Sequence, residues 1–189
     1  MFNMKRLLLI LILTFSFQTL TKADDIRDFQ IEGMSIGDSA LDFFSKSELN
    51  NAYEIHDYKN KKYRYYFLSY DKSQTYEYIQ ITVKPSDKKF IIQAIDGHII
   101  YKKNINDCYK EMTNIKKKID NIFITIGKDD SGVHPAYPNS TYKRIFYRFK
   151  NGAAELVCYD MSKKSKKTDR LGFSIKNLKF LNFVTNEAY

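Results

Sequence analysis

The chain has 189 residues, a formal net charge of +9, two cysteines, three isolated histidines and no tryptophan. A basic surplus favours anionic partners in general, but it names none of them. The sequence has no paired-histidine metal motif, Walker loop or dinucleotide fingerprint, which argues against the chemistries that depend on those motifs. We assign no catalytic, cofactor-binding or metal-binding residues and expect no cofactor.

The N-terminus has the pattern of a secretory signal peptide. Lys5 and Arg6 precede the apolar run 7–17, and small residues at Thr21 and Ala23 fit a signal-peptidase site. The run is shorter than the ~20 residues of a membrane-spanning helix. We therefore predict a cleaved signal peptide at residues 1–23, with an uncleaved membrane anchor as the alternative.

The remaining residues, 24–189, have a length that suits one domain. Removal of residues 1–23 takes away three basic residues and no acidic one, which lowers the charge from +9 to +6. We expect this part to be periplasmic or secreted and not membrane-spanning after cleavage. Export also argues against nucleic acid as a partner.

The first predicted elements are a short strand at 31–36 and a short helix that frays by 47–50. Asp38 is predicted to cap this helix, because its carboxylate can accept hydrogen bonds from the first-turn amides. A catalytic role for Asp38 is the alternative. Ala40, Leu41 and Phe44 form a small apolar helix face.

Three strands are predicted next, at 62–70, 75–84 and 90–103, joined by short connections as an antiparallel meander. Alternation at 78–83 places isoleucine and valine on one side. Asp96-Gly97 predicts a bulge or bend. The aromatic run 63–67 has two interpretations, ordinary strand residues or a strip that stacks on sugars or bases, and strand structure is favoured.

A longer helix is predicted from Asn106 or Asp107, either of which can cap it. Its apolar face follows three- and four-residue steps. That face comprises Cys108, Met112, Ile115, Ile119 and Ile122.

Residues 127–140 have the composition of a loop, and a hairpin with Asn151-Gly152 as its turn follows. This turn pairs Lys150 with Ala153 and places Arg148 opposite Glu155. One face of the hairpin then carries six residues: Ile145, Tyr147, Phe149, Ala154, Leu156 and Cys158. A last strand is predicted at 171–175, and residues 178–184 form a short helix or an edge segment.

The element order predicts an α+β fold of two αβββ-type units, 31–103 and 104–184. Their antiparallel sheets would pack against one short and one longer helix. Cys108 lies on the apolar face of the longer helix, and Cys158 lies on the hairpin face that should contact it. In an oxidising compartment these two thiols are predicted to form a structural disulfide.

Seven lysines in two groups are candidate contacts for an anionic surface, although charge runs most often form a solvated face. They are Lys116, Lys117, Lys118, Lys163, Lys164, Lys166 and Lys167. An electrostatic binder requires both groups on one face, with binding that weakens steeply as salt rises.

Three segments carry a family resemblance: "IEGMSIGDSALDFFSKSEL", "IDGHIIYKKNINDCYKEM" and "AAELVCYDMS". They resemble a group of uncharacterised small exported proteins from marine alphaproteobacteria with AT-rich genomes. More distantly, the helix start at 36–39 is similar to BamE-like domains, and the αβββ plan resembles β-lactamase inhibitory protein. The resemblance implies binding or assembly modules. Since no lipidated cysteine is present, outer-membrane anchoring does not carry over.

Taken together, the residues predict an exported, non-enzymatic binding or envelope-accessory module, whose partner is an envelope protein or an anionic surface. The alternatives are an envelope-polymer hydrolase with an unrecognised site and an electrostatic binder of anionic lipid or wall polymer. A binding module predicts an exposed apolar or aromatic patch. A hydrolase predicts convergent titratable groups in a pocket.

Overall fold

In the part of the chain that the structure describes, the fold is built on an eight-stranded antiparallel sheet, accompanied by a two-stranded hairpin and three helices. The computed structural model describes residues 25–70, 73, 75–101, 104–121 and 127–188. The strands of the large sheet are β3 (Glu54–Asp57), β4 (Arg64–Ser69), β5 (Tyr78–Val83), β6 (Ala94–Ile100), β7 (Lys128–His134), β8 (Tyr137–Phe149), β9 (Gly152–Asp160) and β10 (Arg170–Asn177). The hairpin strands are β1 (Gln30–Ile31) and β2 (Met34–Ser35), and the helices are α1 (Lys46–Asn50), α2 (Ile105–Ile119) and α3 (Leu178–Asn186). The α+β class is confirmed.

The large sheet consists of two four-stranded meanders joined through their last strands. Its spatial order is β3-β4-β5-β6-β10-β9-β8-β7, and β6 pairs antiparallel with β10, with Ile95 opposite Ile175. The prediction of three strands per unit was therefore too low by one strand in each half. The missed strands, β3 and β7, lie at the two edges of the sheet. An edge strand exposed on both faces has no apolar alternation by which sequence could reveal it.

The hydrophobic core lies on one face of the sheet, beneath α2 and the segment that contains β1, β2 and α1. Asn104 caps α2, because its side chain accepts a hydrogen bond from the Asn106 amide. The predicted caps, Asn106 and Asp107, were two and three residues too late. Four predicted core residues of α2 are buried: Cys108, Met112, Ile115 and Ile119. Ile122 lies outside the described residues.

The segment before α1 is more broken than the sequence predicted. The strand expected at 31–36 is the β1–β2 hairpin. Asp38 is not the helix cap, since its Oδ2 accepts a hydrogen bond from the Ser35 amide and Ser39 caps a 3₁₀ turn at Ala40–Asp42. The α-helix itself begins one turn later, where Ser45 and Glu48 form a capping box. Residues 47–50, which were expected to fray, therefore lie within the helix.

The β8–β9 hairpin has a different register from the predicted one. Phe149 pairs with Gly152, so the turn is Lys150-Asn151 and each pair is displaced by two residues. A displacement of two residues preserves the side on which each residue lies. The six predicted core residues of the hairpin are accordingly buried. The predicted Arg148–Glu155 pair was wrong, because Glu155 lies opposite Phe146.

The predicted disulfide is present and joins the core helix to the sheet. Cys108 of α2 and Cys158 of β9 are both fully buried, with their Cα atoms 6.0 Å apart. The bond closes a segment with a sequence separation of 50 residues. Two independent patterns, one helical and one strand-like, thus placed the thiols correctly.

The predicted signal peptide at 1–23 lies outside the described residues. Within the residues that are described, no helix is long and apolar enough to cross a membrane.

Candidate functional site

The face of the large sheet opposite the core is rich in charged, polar and aromatic side chains, and we call it the polar face. Its centre is a row of directly opposed residues on four adjacent strands. In order from β5 to β9 these are Gln80, Asp96, Ser174 and Glu155. Two further residues of this face, His98 and Lys176, lie on β6 and β10, two positions from the row. The sequence offers no local motif for this row, because its members come from separate strands.

Buried charges are paired at the centre of the polar face. Lys176 Nζ lies 2.8 Å from Glu155 Oε2, and these side chains are only 13% and 8% exposed. Arg144 approaches the same carboxylate at 3.6 Å and also forms an ion pair with Asp130 on β7. Such a network fixes the side chains in place, since separating a buried pair would leave an uncompensated charge.

The titration of two groups reflects this environment. Burial raises the pKa of Asp96, whose carboxylate accepts a hydrogen bond from Gln80 Nε2 at 3.3 Å. Burial by itself would lower the pKa of Lys176, but attraction to Glu155 and Asp96 outweighs it and the pKa is raised. The lysine therefore remains charged, while Asp96 holds its proton more readily than an exposed aspartate does.

An aromatic cluster lies beside the charged centre, on β4, β5 and β6. The rings of Phe67 and Tyr78 stack with centroids 5.0 Å apart, and His98 packs against Phe67 at 5.4 Å. Tyr53, just before β3, contacts both Phe67 and Tyr78 at 6.3 Å and is 78% exposed. Tyr53 is the exposed ring of this cluster, whereas Phe67 and Tyr78 are half-buried and His98 is buried.

Several buried polar atoms have no hydrogen bond of acceptable geometry to any described residue. They are Thr82 Oγ1, Arg144 Nε and both ring nitrogens of His98, whereas Ser174, which lies opposite Asp96, is close enough to hydrogen-bond to that carboxylate. By strand register, all four of these residues lie on the polar face. Unpaired buried polar groups are uncommon in native proteins and each costs about 1–3 kcal/mol. Their concentration on one side distinguishes that side from the core.

One end of the polar face is covered by the C-terminal helix. Asn177 caps α3 by accepting a hydrogen bond from the Phe180 amide at 2.8 Å. Phe180 and Phe183 then pack on Tyr63, with ring centroids 5.0 and 4.8 Å away, and on Ala94 of β6. Residues 178–184, which were predicted to form either a short helix or an edge segment, therefore belong to a helix.

The candidate anion-contacting lysines are distributed over two elements. Lys116, Lys117 and Lys118 lie near the end of α2 on the core side, and Lys116 pairs with Asp120 at 2.9 Å. Lys163 and Lys164 lie in a 3₁₀ turn between β9 and β10, followed by Lys166 and Lys167. Lys167 pairs at 3.2 Å with Glu54, whose position opposite Phe67 belongs to the polar face. The structure does not bring α2 and Lys167 to the same side of the sheet.

The prediction of a bulge or bend at Asp96-Gly97 was wrong, and it hid the centre of the polar face. Both residues pair in regular register with β5 and β10. Glycine is needed at 97 because a Cβ there would lie 2.6 Å from the Tyr76 ring on the core side. Asp96 is thereby an ordinary strand residue whose carboxylate faces the polar side.

Among the residues that the structure describes, no three His, Cys, Asp or Glu side chains are grouped so that they could hold a metal ion. Comparison with protein-family models, with curated proteins and with solved structures gave no match. The resemblances drawn from the sequence therefore stay predictions, and function has to be argued from the site itself.

Proposed function

We propose that this is an exported, non-enzymatic binding or envelope-accessory module that holds a protein partner on the polar face. The main support is the concentration of charged, polar and aromatic side chains on that face, beside which Tyr53 is 78% exposed. The exposed ring of Tyr53 would provide an aromatic anchor for the partner.

The charge network favours binding over catalysis. Lys176 and Arg144 both approach Glu155, which is buried, so the carboxylate is held as a fixed charge. Fixed and neutralised charges orient a partner and reject wrong ones, whereas a catalytic acid or base needs access to a reacting atom.

Export is supported by the Cys108–Cys158 disulfide, because such bonds persist in oxidising compartments such as the periplasm or the exterior of the cell. We further propose that residues 31–103 and 104–184 are two copies of one unit. In support, each half contributes one helix followed by an antiparallel meander, and the two meanders meet through equivalent strands.

Hydrolysis of an envelope polymer is a second candidate, favoured by one observation. The raised pKa of Asp96, close to Glu155 across one intervening strand, is a property expected of a proton donor. Electrostatic binding to an anionic surface is less well supported, because Lys116 and Lys167 are each engaged in an ion pair.

Partner capture with surface variants tests the proposal. Tyr53→Ser and Gln80→Ala each alter the polar face, and Lys117→Ser alters the exposed side of α2 as a matched control. We expect a partner captured by the wild-type protein and by Lys117→Ser to bind each polar-face variant at least about tenfold more weakly by calorimetry. Equal affinity for all variants would reject the polar face as the binding surface. Turnover of a wall polymer, abolished by Asp96→Asn, would instead establish the hydrolase.

A further inference from the structure

The connection between β9 and β10, residues 161–169, is tied closed at its base. The Met161 amide donates to Asp169 Oδ1 at 2.7 Å, so the two ends of the segment meet. The Asp169 carbonyl accepts from the Tyr101 amide at 2.8 Å, and the Ser162 amide donates to Ser140 Oγ at 3.0 Å. The segment is thus held at its base, while most of its side chains are exposed. We call residues 161–169 the strap.

The tip of the strap reaches across the sheet. Lys167 Nζ lies 3.2 Å from Glu54 Oε2, yet β10 and β3 are separated by β6, β5 and β4. Four strand spacings amount to about 19 Å, which is longer than a lysine side chain. The contact therefore places the tip of the strap beside β3 on the polar side, while Ser162 at its base is held by Ser140 of β8.

The strands beneath this crossing carry the aromatic cluster. His98 is on β6, Tyr78 on β5 and Phe67 on β4, and all three side chains belong to the polar face. His98 is only 6% exposed, although it lies on the side away from the core. Both of its ring nitrogens are buried without a described partner, so the covered state leaves two hydrogen-bonding positions unused.

We propose that the strap is a latched cover over the His98 end of the polar face, held by the Lys167–Glu54 ion pair, which must lift before a partner can occupy that end. This rests on the proposed binding function only for its purpose, since covering and release are properties of the protein alone. The latch suits this role because both side chains are more than one-third exposed, and exposed ion pairs are weak and sensitive to salt.

The latch carboxylate has a second contact that has to be separated from the strap. The Tyr65 hydroxyl donates to Glu54, so Glu54→Gln disturbs two interactions at once. Lys167→Gln removes the strap contact and leaves Tyr65 in place, whereas Tyr65→Phe removes the hydroxyl that donates to Glu54 and leaves the strap contact in place. Together these three variants separate the latch from local effects on β3.

The accessibility of His98 is measured by carbethoxylation of histidine with diethyl pyrocarbonate at neutral pH, followed by mass spectrometry. In the wild-type protein the exposed His56 gives the rate of an uncovered histidine; because its ring stacks on Tyr65, rates in the variants are referred instead to added N-acetylhistidine, with circular dichroism as the check of folding. Glu187→Gln is the matched control, because it breaks a comparable exposed pair, Lys62–Glu187 at 2.9 Å, at α3.

We expect His98 to react slowly in the wild-type protein and roughly two- to fivefold faster in Lys167→Gln and Glu54→Gln. In the double variant Glu54→Gln/Lys167→Gln, His98 should react at the same rate as in the single variants. The charge exchange Glu54→Lys/Lys167→Glu should restore the slow reaction of His98. Added salt should accelerate this reaction only in proteins with an intact latch. Tyr65→Phe and Glu187→Gln should behave as the wild-type protein.

Three results would overturn the proposal that the strap is a latched cover. His98 reacting as fast as His56 in the wild-type protein would mean that it is not covered. Equal rates in all variants would mean that the ion pair does not hold the cover. Additive effects of the two latch substitutions would mean that they act independently. Since no ligand is used, a failed capture experiment and a failed strap experiment remain distinguishable.

Discussion

His98 should make the protein acid-sensitive, and its removal should relieve that sensitivity. Burial lowers the pKa of this histidine to about 3, with a smaller contribution from the nearby Arg170 guanidinium. The ordinary value is 6.5. The folded protein therefore keeps the ring neutral under conditions in which the unfolded chain binds a proton.

The sign and size of the effect follow from linkage. Because the folded-state pKa is depressed, the stability from a neutral His98 is complete above pH 6.5 and is lost as the pH falls toward 3. Each pH unit within that window removes up to about 1.4 kcal/mol. At pH 5 the loss in unfolding free energy attributable to His98 is about 2 kcal/mol.

The assay is urea unfolding of wild type and His98→Phe from pH 7.5 to 4. Carboxylates also titrate there, but they are common to both proteins and cancel in the difference. Phenylalanine keeps a ring of similar shape without buried unpaired nitrogens, so we expect equal or higher stability at neutral pH. Tyr78→Phe, opposite His98 in the sheet, is the control that alters the same surface without removing an imidazole.

The difference in unfolding free energy between His98→Phe and wild type should widen by about 2 kcal/mol between pH 7.5 and pH 5. Parallel stability profiles for the two proteins would refute the claim that the buried ring stays neutral. Equal widening in Tyr78→Phe would assign the effect to surface packing rather than to the histidine.

Three further predictions concern the framework. Cys108→Ala/Cys158→Ala should lower the unfolding free energy by at most roughly 4 kcal/mol, and reduction of the wild-type protein should have the same effect. Unchanged urea midpoints would contradict this prediction. Lys176→Met should lower the unfolding free energy by about 3–5 kcal/mol, because it leaves Glu155 with one fewer cation. The double variant Lys176→Met/Glu155→Met should recover much of that stability. If the effects of the two substitutions simply add, the coupling between the side chains is refuted. Gly152→Ala should cost about 1–3 kcal/mol, because its Cβ would lie 2.1 Å from the Lys176 carbonyl oxygen. Gly132→Ala should lower the melting temperature much less, because its Cβ would meet the Tyr142 side chain no closer than 3.1 Å, and equal losses would refute the clash.

The core side of the fold was predictable because its residues follow local periodicity. The buried face of α2 repeats at helical steps and that of the β8–β9 hairpin alternates, so Cys108 and Cys158 could be placed on facing surfaces. The hairpin turn was misplaced by the Asn151-Gly152 signal. In the structure, Asn151 Oδ1 accepts a hydrogen bond from the Ile26 amide at 3.0 Å, and Gly152 approaches the β10 backbone. These distant contacts override the local turn preference.

The polar face was not predictable for the opposite reason. Asp96, Ser174 and Glu155 become neighbours only through the order β6-β10-β9, and the β6–β10 pairing joins strands that are far apart in the chain. Each residue alone resembles an ordinary solvent-facing strand position. The edge strands failed similarly, since β7 has charged and small residues on both sides and no period to detect.

The junction of β6 with β10 also affects how the chain reaches its final form. The first meander can assemble early, but β6 keeps an unpaired edge until β10, which is synthesised later, pairs with it. Contacts between such distant segments slow folding, and an open strand edge is a template for aggregation in the meantime. During biogenesis, the centre of the finished sheet is thus the site most in need of a chaperone.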